Sequence, residues 1–140
     1  MYKKILLALD ATTADKSLLA HVLELAKLHG SKLMLVHVAD GWAARNYNAL
    51  QLAESEEMKA DRAYLEKTAS ELRASGMDVA THLLMGNPPT EILKLSQNEQ
   101  CDLIAMTTHG HRFLMDLLLG STIEAVRHRT HIPLLIVRAE

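Results

Sequence analysis

Short, uninterrupted apolar runs alternate along this chain with longer segments of helical periodicity. The first run is Ile5-Leu6-Leu7-Ala8-Leu9, and similar runs lie within residues 32–39, 79–85, 103–106 and 134–137. A run that is apolar at every position is typical of a strand buried on both faces, as in a parallel sheet. Strands that alternate with helices are joined by right-handed crossovers. We therefore predict an α/β fold, with one open five-stranded parallel sheet and helices on both faces.

Four helices are expected between these strands. The first follows Thr12 as a capping residue and is stopped by Gly30. A long helix covers about residues 49–75. Asn87 caps the third helix, because two prolines follow it and proline is well tolerated in a first turn. The last helix is predicted to open at Gly120-Ser121.

Composition limits the number of domains, the kinds of partner and the cellular compartment that can be expected. The 140 residues show no linker or repeat, so residues 1–140 are predicted to form one domain. The net charge of −2 gives no electrostatic reason to expect nucleic acid or an anionic membrane as partner. A single cysteine, Cys101, excludes an internal disulfide and is expected near the surface. No apolar run approaches the roughly 20 residues of a membrane span, and we predict a cytoplasmic protein.

The loop after the fourth strand is the richest candidate for ligand binding, because ligands of open parallel sheets bind beyond the carboxyl ends of the strands. Gly110 allows the backbone to approach a ligand closely. Gly120-Ser121-Thr122, placed at the start of a helix, would offer free N–H groups and a favourable dipole to a phosphate. An alternative needs no ligand, since Ser121 and Glu124 match a capping box.

Asp10 is the second candidate, because it directly follows the first strand. Its carboxylate could orient a ribose hydroxyl or a nucleotide-bound Mg²⁺, or it could serve only as a turn residue. The eight histidines match no zinc spacing, so no metal site built from protein ligands alone is predicted. His37 lies inside an apolar strand and is interpreted as a core histidine with satisfied hydrogen bonds.

Several motifs follow one another in a fixed order across nearly the whole chain. They are Tyr2-Lys3-Lys4-Ile5-Leu6 leading to Asp10, Leu35-Val36-His37-Val38, Gly86-Asn87-Pro88-Pro89, Cys101-Asp102-Leu103-Ile104, Thr108-His109-Gly110, Gly120-Ser121-Thr122 and Pro133-Leu134-Leu135-Ile136-Val137. In this combination the chain resembles the universal stress protein family. The resemblance implies a Rossmann-like sheet of strand order 3-2-1-4-5, similar to that of adenine nucleotide alpha hydrolases. It also implies a homodimer that pairs the edge strands formed by Leu134, Leu135, Ile136 and Val137.

The resemblance further implies a cytoplasmic stress-response regulator that binds ATP or AMP, with Mg²⁺ near Asp10 as an open question. Gly110 and Gly120-Ser121 match the family pattern G-x2-G-x9-G-[ST], whereas Thr107 stands where the first glycine is expected. Carried over by position, the implied contacts fall into three groups. They are Ala8, Leu9 and Asp10 beside the nucleoside, Val38, Met106 and Thr107 at the adenine, and Gly110, Gly120, Ser121 and Thr122 at the phosphates.

Two other functions stay open at this stage. A slow ATPase could recruit Asp10, His109 and Arg112, but no base–nucleophile pair is evident, so an enzyme is not the favoured prediction. A dimeric scaffold without nucleotide would result if the Cβ of Thr107 blocked the pocket. The sequence identifies neither the stress signal nor the regulatory protein partners.

Overall fold

The computed structural model describes residues 1–39, 56–108 and 116–140, with side chains in the last range from Thr122 onward. The described residues form five strands and four helices. The strands are β1 (Lys4–Ala8), β2 (Lys32–Ala39), β3 (Asp78–Met85), β4 (Leu103–Thr108) and β5 (Leu134–Arg138). The helices are α1 (Asp15–His29), α2 (Glu56–Ala74), α3 (Pro88–Asn98) and α4 (Asp116–Arg129).

All five strands are parallel and follow the order β3-β2-β1-β4-β5, which confirms the predicted topology. β1 lies at the centre, with β2 on one side and β4 on the other. The register places Ala8 opposite both Val36 and Met106, and it places Thr107 opposite Val137. The carboxyl ends of β1, β2 and β4 therefore lie at one edge of the sheet, where the loops predicted to bind a ligand begin.

The sheet separates two hydrophobic cores, because successive side chains of a strand point to opposite faces. Ile5, Leu7 and Leu9 pack with residues of α1 and α2 on one face. Leu6 packs with residues of α3 and α4 on the other. The apolar run of β1 is thus explained by burial on both sides. No helix in the described part of the chain is long and apolar enough to cross a membrane.

Two predicted helix boundaries are confirmed, the end of α1 at Gly30 and the start of α3 after Asn87. Gly30 ends α1 in the left-handed conformation, at φ 63°, which glycine adopts without a Cβ clash. The Asn87 side-chain oxygen accepts hydrogen bonds from the backbone N–H and the hydroxyl of Thr90, at 3.2 and 2.8 Å. The prediction of Thr12 as the cap of α1 was wrong: Ala14 is the N-cap and has no side-chain capping bond, while the Thr12 hydroxyl accepts the N–H of Ala14 just before the helix. Residues 49–55 of the predicted long helix lie outside the described residues.

The predicted start of the last helix was wrong, since α4 begins at Asp116 instead of Gly120-Ser121. The residues between them are three leucines, which are strong helix formers and extend the helix toward its amino end. Ser121 therefore does not cap the helix. Glu124, its supposed partner in a capping box, is bonded instead to Arg127 at 2.7 Å. That bond lowers the pKa of the exposed Glu124 carboxyl.

Cys101 is buried, contrary to the expectation of a surface position. The turn between α3 and β4 folds onto the core that contains Leu6, and it brings the Sγ of Cys101 to 3.6 Å from the Sδ of Met34. The same burial raises the pKa of the Cys101 thiol to about 11. The thiol is thus protonated at neutral pH and has the character of a small core residue.

Candidate functional site

Three apolar side chains meet at the carboxyl ends of β1, β2 and β4. Ala8, Val38 and Met106 pack against the same core, on the sheet face covered by α3 and α4. Ala8 and Val38 are half-buried, while Met106 is buried. The structure therefore places Val38 and Met106, which were predicted at the adenine, on the same face of the sheet edge as Ala8, which was predicted beside the nucleoside. We call them the apolar edge.

Leu9 and Thr107 point to the opposite face, toward α1 and α2. Leu9 is buried there. Its N–H donates to the Val36 carbonyl at 2.7 Å, and its carbonyl accepts from His37. The backbone N–H and C=O of Leu9 are therefore both hydrogen-bonded within the chain. Leu9 was predicted to flank a nucleoside. The structure places its side chain in the core beneath α1 and α2, and its contact with a ligand stays a prediction.

Thr107 carries the side chain that replaces the first glycine of the family pattern. It is only 4% exposed, and its hydroxyl has no hydrogen-bond partner among the described residues. A buried hydroxyl without a partner costs about 1–3 kcal/mol. A polar group left unsatisfied at the ligand edge of a parallel sheet fits a site that is completed by a polar ligand.

The loop between β1 and α1 is held from within by a buried carboxylate, that of Asp15 in the first turn of α1. One oxygen of Asp15 accepts the N–H of Asp10 at 2.9 Å, and the other accepts the N–H of Ala11 at 2.9 Å. The Tyr64 hydroxyl, from α2, donates to this second oxygen at 2.8 Å. Asp15 is fully buried, and three donors satisfy it.

The ionisation of Asp15 reflects competing effects. Burial raises the pKa of its carboxyl because it disfavours the charged form, while the hydrogen bonds from Asp10 and Tyr64 oppose that rise. Burial and the neighbouring carboxylate also raise the pKa of Tyr64 far above its usual range. Tyr64 thus keeps its proton and remains a donor over the whole physiological range.

His37, on β2, contacts the residue that comes just before this loop. Its Nδ1 lies 2.7 Å from the carbonyl oxygen of Leu9, and its Nε2 lies 3.3 Å from a carboxylate oxygen of Asp61 on α2. A ring with protons on both nitrogens donates to both oxygens. The interpretation of His37 as a histidine with satisfied hydrogen bonds is confirmed, and its partners connect α2 to the end of β1.

Ala11 adopts a left-handed backbone with φ 61°, a conformation that costs a residue with a Cβ about 1 kcal/mol. The bond from its N–H to Asp15 keeps it there. Asp10, just before it, is half-buried and lies between two residues whose peptide groups are fixed. The backbone of Asp10 is therefore held on both sides.

The phosphate half of the predicted site is only partly described. Gly110 lies outside the described residues. Gly120 and Ser121 lie in the second turn of α4, where helix geometry directs their N–H groups to carbonyls one turn earlier. Thr122 is half-buried in the same turn. The expectation that these three residues supply the free N–H groups of a helix start is thus contradicted, because the helix begins four residues before Gly120.

Asp15, Tyr64 and Asp61 were missed in the sequence analysis. An acidic residue in the first turn of a helix was a signal for Asp15, since such residues bind backbone N–H groups near helix starts. No sequence signal distinguished Tyr64 or Asp61 from other residues of α2. Only the packing of that helix beside β2 and β3 brings them to the loop.

An open parallel sheet with helices on both faces defines an α/β protein, and in this class ligands bind beyond the carboxyl ends of the strands, where the apolar edge lies. The chain belongs to the universal stress protein family, since the sequence profile of that family matches residues 1–138. It is 31% identical over 158 residues to universal stress protein MJ0577 of Methanocaldococcus jannaschii, covering 99% of this chain and 96% of the relative. A universal stress protein of Thermus aquaticus is 33% identical, covering 99% and 100%.

Solved structures agree with the fold. The structure of MJ0577 superposes with a TM-score of 0.82 at 30% identity and covers 100% of this chain and 98% of the other. A universal stress protein in complex with cAMP gives a TM-score of 0.72 at 18% identity, with 99% and 98% covered. The protein from Archaeoglobus fulgidus in complex with dAMP gives 0.71 at 21%, with 97% and 98% covered.

Proposed function

We propose that this protein binds an adenine nucleotide, ATP or AMP, in the cleft at the carboxyl ends of β1, β2 and β4, and that it acts as a cytoplasmic stress-response regulator. The observation that carries the proposal is the apolar edge. Ala8 and Val38 are half-buried there beside the buried Met106, an arrangement that suits the flat face of a purine. Family membership and the complexes of two structural relatives with cAMP and dAMP support the choice of an adenine base.

Polar groups beside the apolar edge fit the rest of a nucleotide. Asp10 supplies a carboxylate suited to a ribose hydroxyl or to a nucleotide-bound Mg²⁺. Thr107 points to the opposite face of the same sheet edge, and its hydroxyl, which has no partner among the described residues, would donate to a ligand oxygen or accept from a ligand hydroxyl. Contacts of Gly110, Gly120, Ser121 and Thr122 with the phosphates stay a prediction.

Amide exchange tests that predicted phosphate contact. If Gly120 and Ser121 bind phosphate through their N–H groups, the first turn of α4 must open. ATP should then change the rate of amide hydrogen exchange at residues 116–122, while the rate in the rest of α4 stays the same. Equal exchange with and without ATP would assign the phosphates to other residues.

A homodimer through β5 is part of the proposal. β5 pairs with β4 alone among the described strands, and Ile136 is 39% exposed on it. An apolar edge strand left open invites pairing with another chain. A groove of about 780 Å³ beside β5, lined by α1 and by Val137, extends this surface to the exposed Leu28. A second copy related by a two-fold axis would cover it.

The proposed role is regulatory instead of enzymatic. Hydrolysis needs a positioned water and stabilisation of developing charge. Among the described residues near the apolar edge, the buried carboxylate is that of Asp15, and three donors occupy it. Nucleotide occupancy would then act by changing the surface that protein partners contact.

Two measurements test the central claim. The nucleotide released from the purified, denatured protein is identified, and the emptied protein is titrated calorimetrically with ATP, AMP and GTP. We expect adenine nucleotides to bind and GTP to bind at least tenfold more weakly, because the oxo and amino groups of guanine would be left without partners against apolar side chains. Equal binding of ATP and GTP would refute base recognition, and no binding would indicate an empty scaffold. Phosphate release over hours that is lost in Gly120→Val would instead show an ATPase.

A further inference from the structure

We propose that Asp15 and His37 are positioning residues of the nucleotide cleft, acting through Asp10, and that α2 sets them in place through Tyr64 and Asp61. This inference rests on the proposed function, because it concerns the affinity of the same cleft. None of these four residues is among the nucleotide contacts that the family resemblance implies. Each is placed by hydrogen bonds that converge on three consecutive residues, 9–11.

Asp15 fixes the two peptide groups that flank the side chain of Asp10. Its two carboxylate oxygens take the N–H groups of Asp10 and Ala11, both at 2.9 Å. These bonds hold Ala11 at φ 61°, a conformation that alanine seldom adopts unless its surroundings impose it. They also occupy the N–H groups of Asp10 and Ala11, so these two donors are not offered to a ligand.

His37 fixes the peptide before Asp10. The bond from Nδ1 to the Leu9 carbonyl joins the end of β1 to β2, beyond the ladder bond from the Leu9 N–H to the Val36 carbonyl. With both sides of Asp10 bonded, its backbone has little freedom. The side chain of a residue held in this way approaches a ligand with less loss of entropy, which raises affinity.

The two positioning residues depend on one helix. Tyr64 donates to Asp15 at 2.8 Å, and Asp61 lies 3.3 Å from the Nε2 of His37. Tyr64 and Asp61 are three residues apart and so lie on the same side of α2. A change in α2 alone should therefore alter the cleft, although no residue of α2 belongs to the apolar edge.

A double-mutant cycle tests this coupling. The dissociation constant for ATP is measured by calorimetry for the wild type, Asp10→Ala, Tyr64→Phe and the double variant, at a temperature where circular dichroism shows all of them folded. Tyr2→Phe is the matched control, because Tyr2 packs on the same core at the opposite end of β1. Asp61→Asn provides an independent cycle through His37.

We expect Asp10→Ala to weaken ATP binding about tenfold and Tyr64→Phe about fivefold. The double variant should bind no more weakly than Asp10→Ala alone, and Tyr2→Phe should stay within about twofold of the wild type. A purely structural role for Tyr64 would leave its effect unchanged in the Asp10→Ala background, and such additive effects would overturn the inference. So would an unchanged affinity in Asp10→Ala or Tyr64→Phe.

The two proposals fail in different ways. If the wild type binds no adenine nucleotide, the proposed function is refuted and this inference falls with it. If the wild type binds ATP and the cycles with Tyr64 and Asp61 are additive, only the positioning role is refuted.

Discussion

Replacing Tyr64 with phenylalanine removes one of three donors from a fully buried carboxylate, and the consequence can be estimated from the structure. The lost bond, at 2.8 Å from the hydroxyl to Asp15, is a hydrogen bond to a charged group, which contributes about 1.5–3 kcal/mol. Because Tyr64 is half-buried, water can partly replace it, so we expect the lower end of that range. At neutral pH the free energy of unfolding should fall by about 1.5 kcal/mol, or about 5 °C in melting temperature.

The loss should depend on pH in a defined direction. The pKa of Asp15 is raised in the folded protein above its ordinary value of 3.8, and the bond from Tyr64 limits that rise. A carboxyl with a raised folded pKa contributes stability below its unfolded pKa, and this contribution is lost as pH rises through the folded pKa. Removing Tyr64 raises the folded pKa of Asp15 further. The variant therefore loses more stability than the wild type as pH increases.

Urea unfolding of the wild type and Tyr64→Phe from about pH 3.5 to pH 8 measures this difference. The gap between the two unfolding free energies should be small at the acidic end and should widen until both proteins have an ionised Asp15. Tyr2→Phe, which lacks a carboxylate partner among the described bonds, serves as the control with a constant gap. A gap for Tyr64→Phe that does not change with pH would refute the view that Tyr64 stabilises the ionised form of Asp15.

Three further predictions concern separate parts of the molecule. Thr107→Val should raise the unfolding free energy of the nucleotide-free protein by about 1 kcal/mol in urea, because it removes a buried hydroxyl without a partner; a loss of stability would mean that the hydroxyl is bonded in solution. Asn87→Ala should lower it by about 1 kcal/mol, since it deletes the cap of α3, and an unchanged midpoint would contradict that cap. Ile136→Lys should convert the proposed dimer to a monomer in sedimentation velocity, whereas a persistent dimer would place the interface elsewhere.

The parallel sheet could be predicted from the sequence because its signals are local and repeated. The run from Ile5 to Leu9 is apolar at each position since β1 is central and covered on both faces. Gly30 and Asn87 marked helix ends because a left-handed residue and a side-chain cap need those residue types. The strand order came from the family resemblance, and the structure confirms it.

The start of α4 could not be predicted from the same kind of signal. Glycine followed by serine is typical of a helix start, but three leucines before Gly120 favour helix more strongly than Gly120 opposes it. Cys101 was misplaced for a related reason, since its position before a strand gave no information about the core that folds over it. In both cases the neighbouring residues decided the outcome.

The candidate site was predictable where it follows the strands and unpredictable where it depends on tertiary packing. Ala8, Val38 and Met106 share one face because parallel strands in this register bring them together. Tyr64 lies 49 positions from Asp15, and no pattern in the sequence connects them. Bonds of this kind are set by how a helix docks on the sheet.

The attachment of Asp15 has a mechanical consequence. The residue belongs to the first turn of α1, and its carboxylate accepts the N–H groups of Asp10 and Ala11. The loop is therefore joined to the start of the helix by two hydrogen bonds. The same helix borders β5, where α1 and Val137 line a common groove. A displacement of the Asp10 loop is therefore expected to move α1, and with it one wall of the groove beside β5.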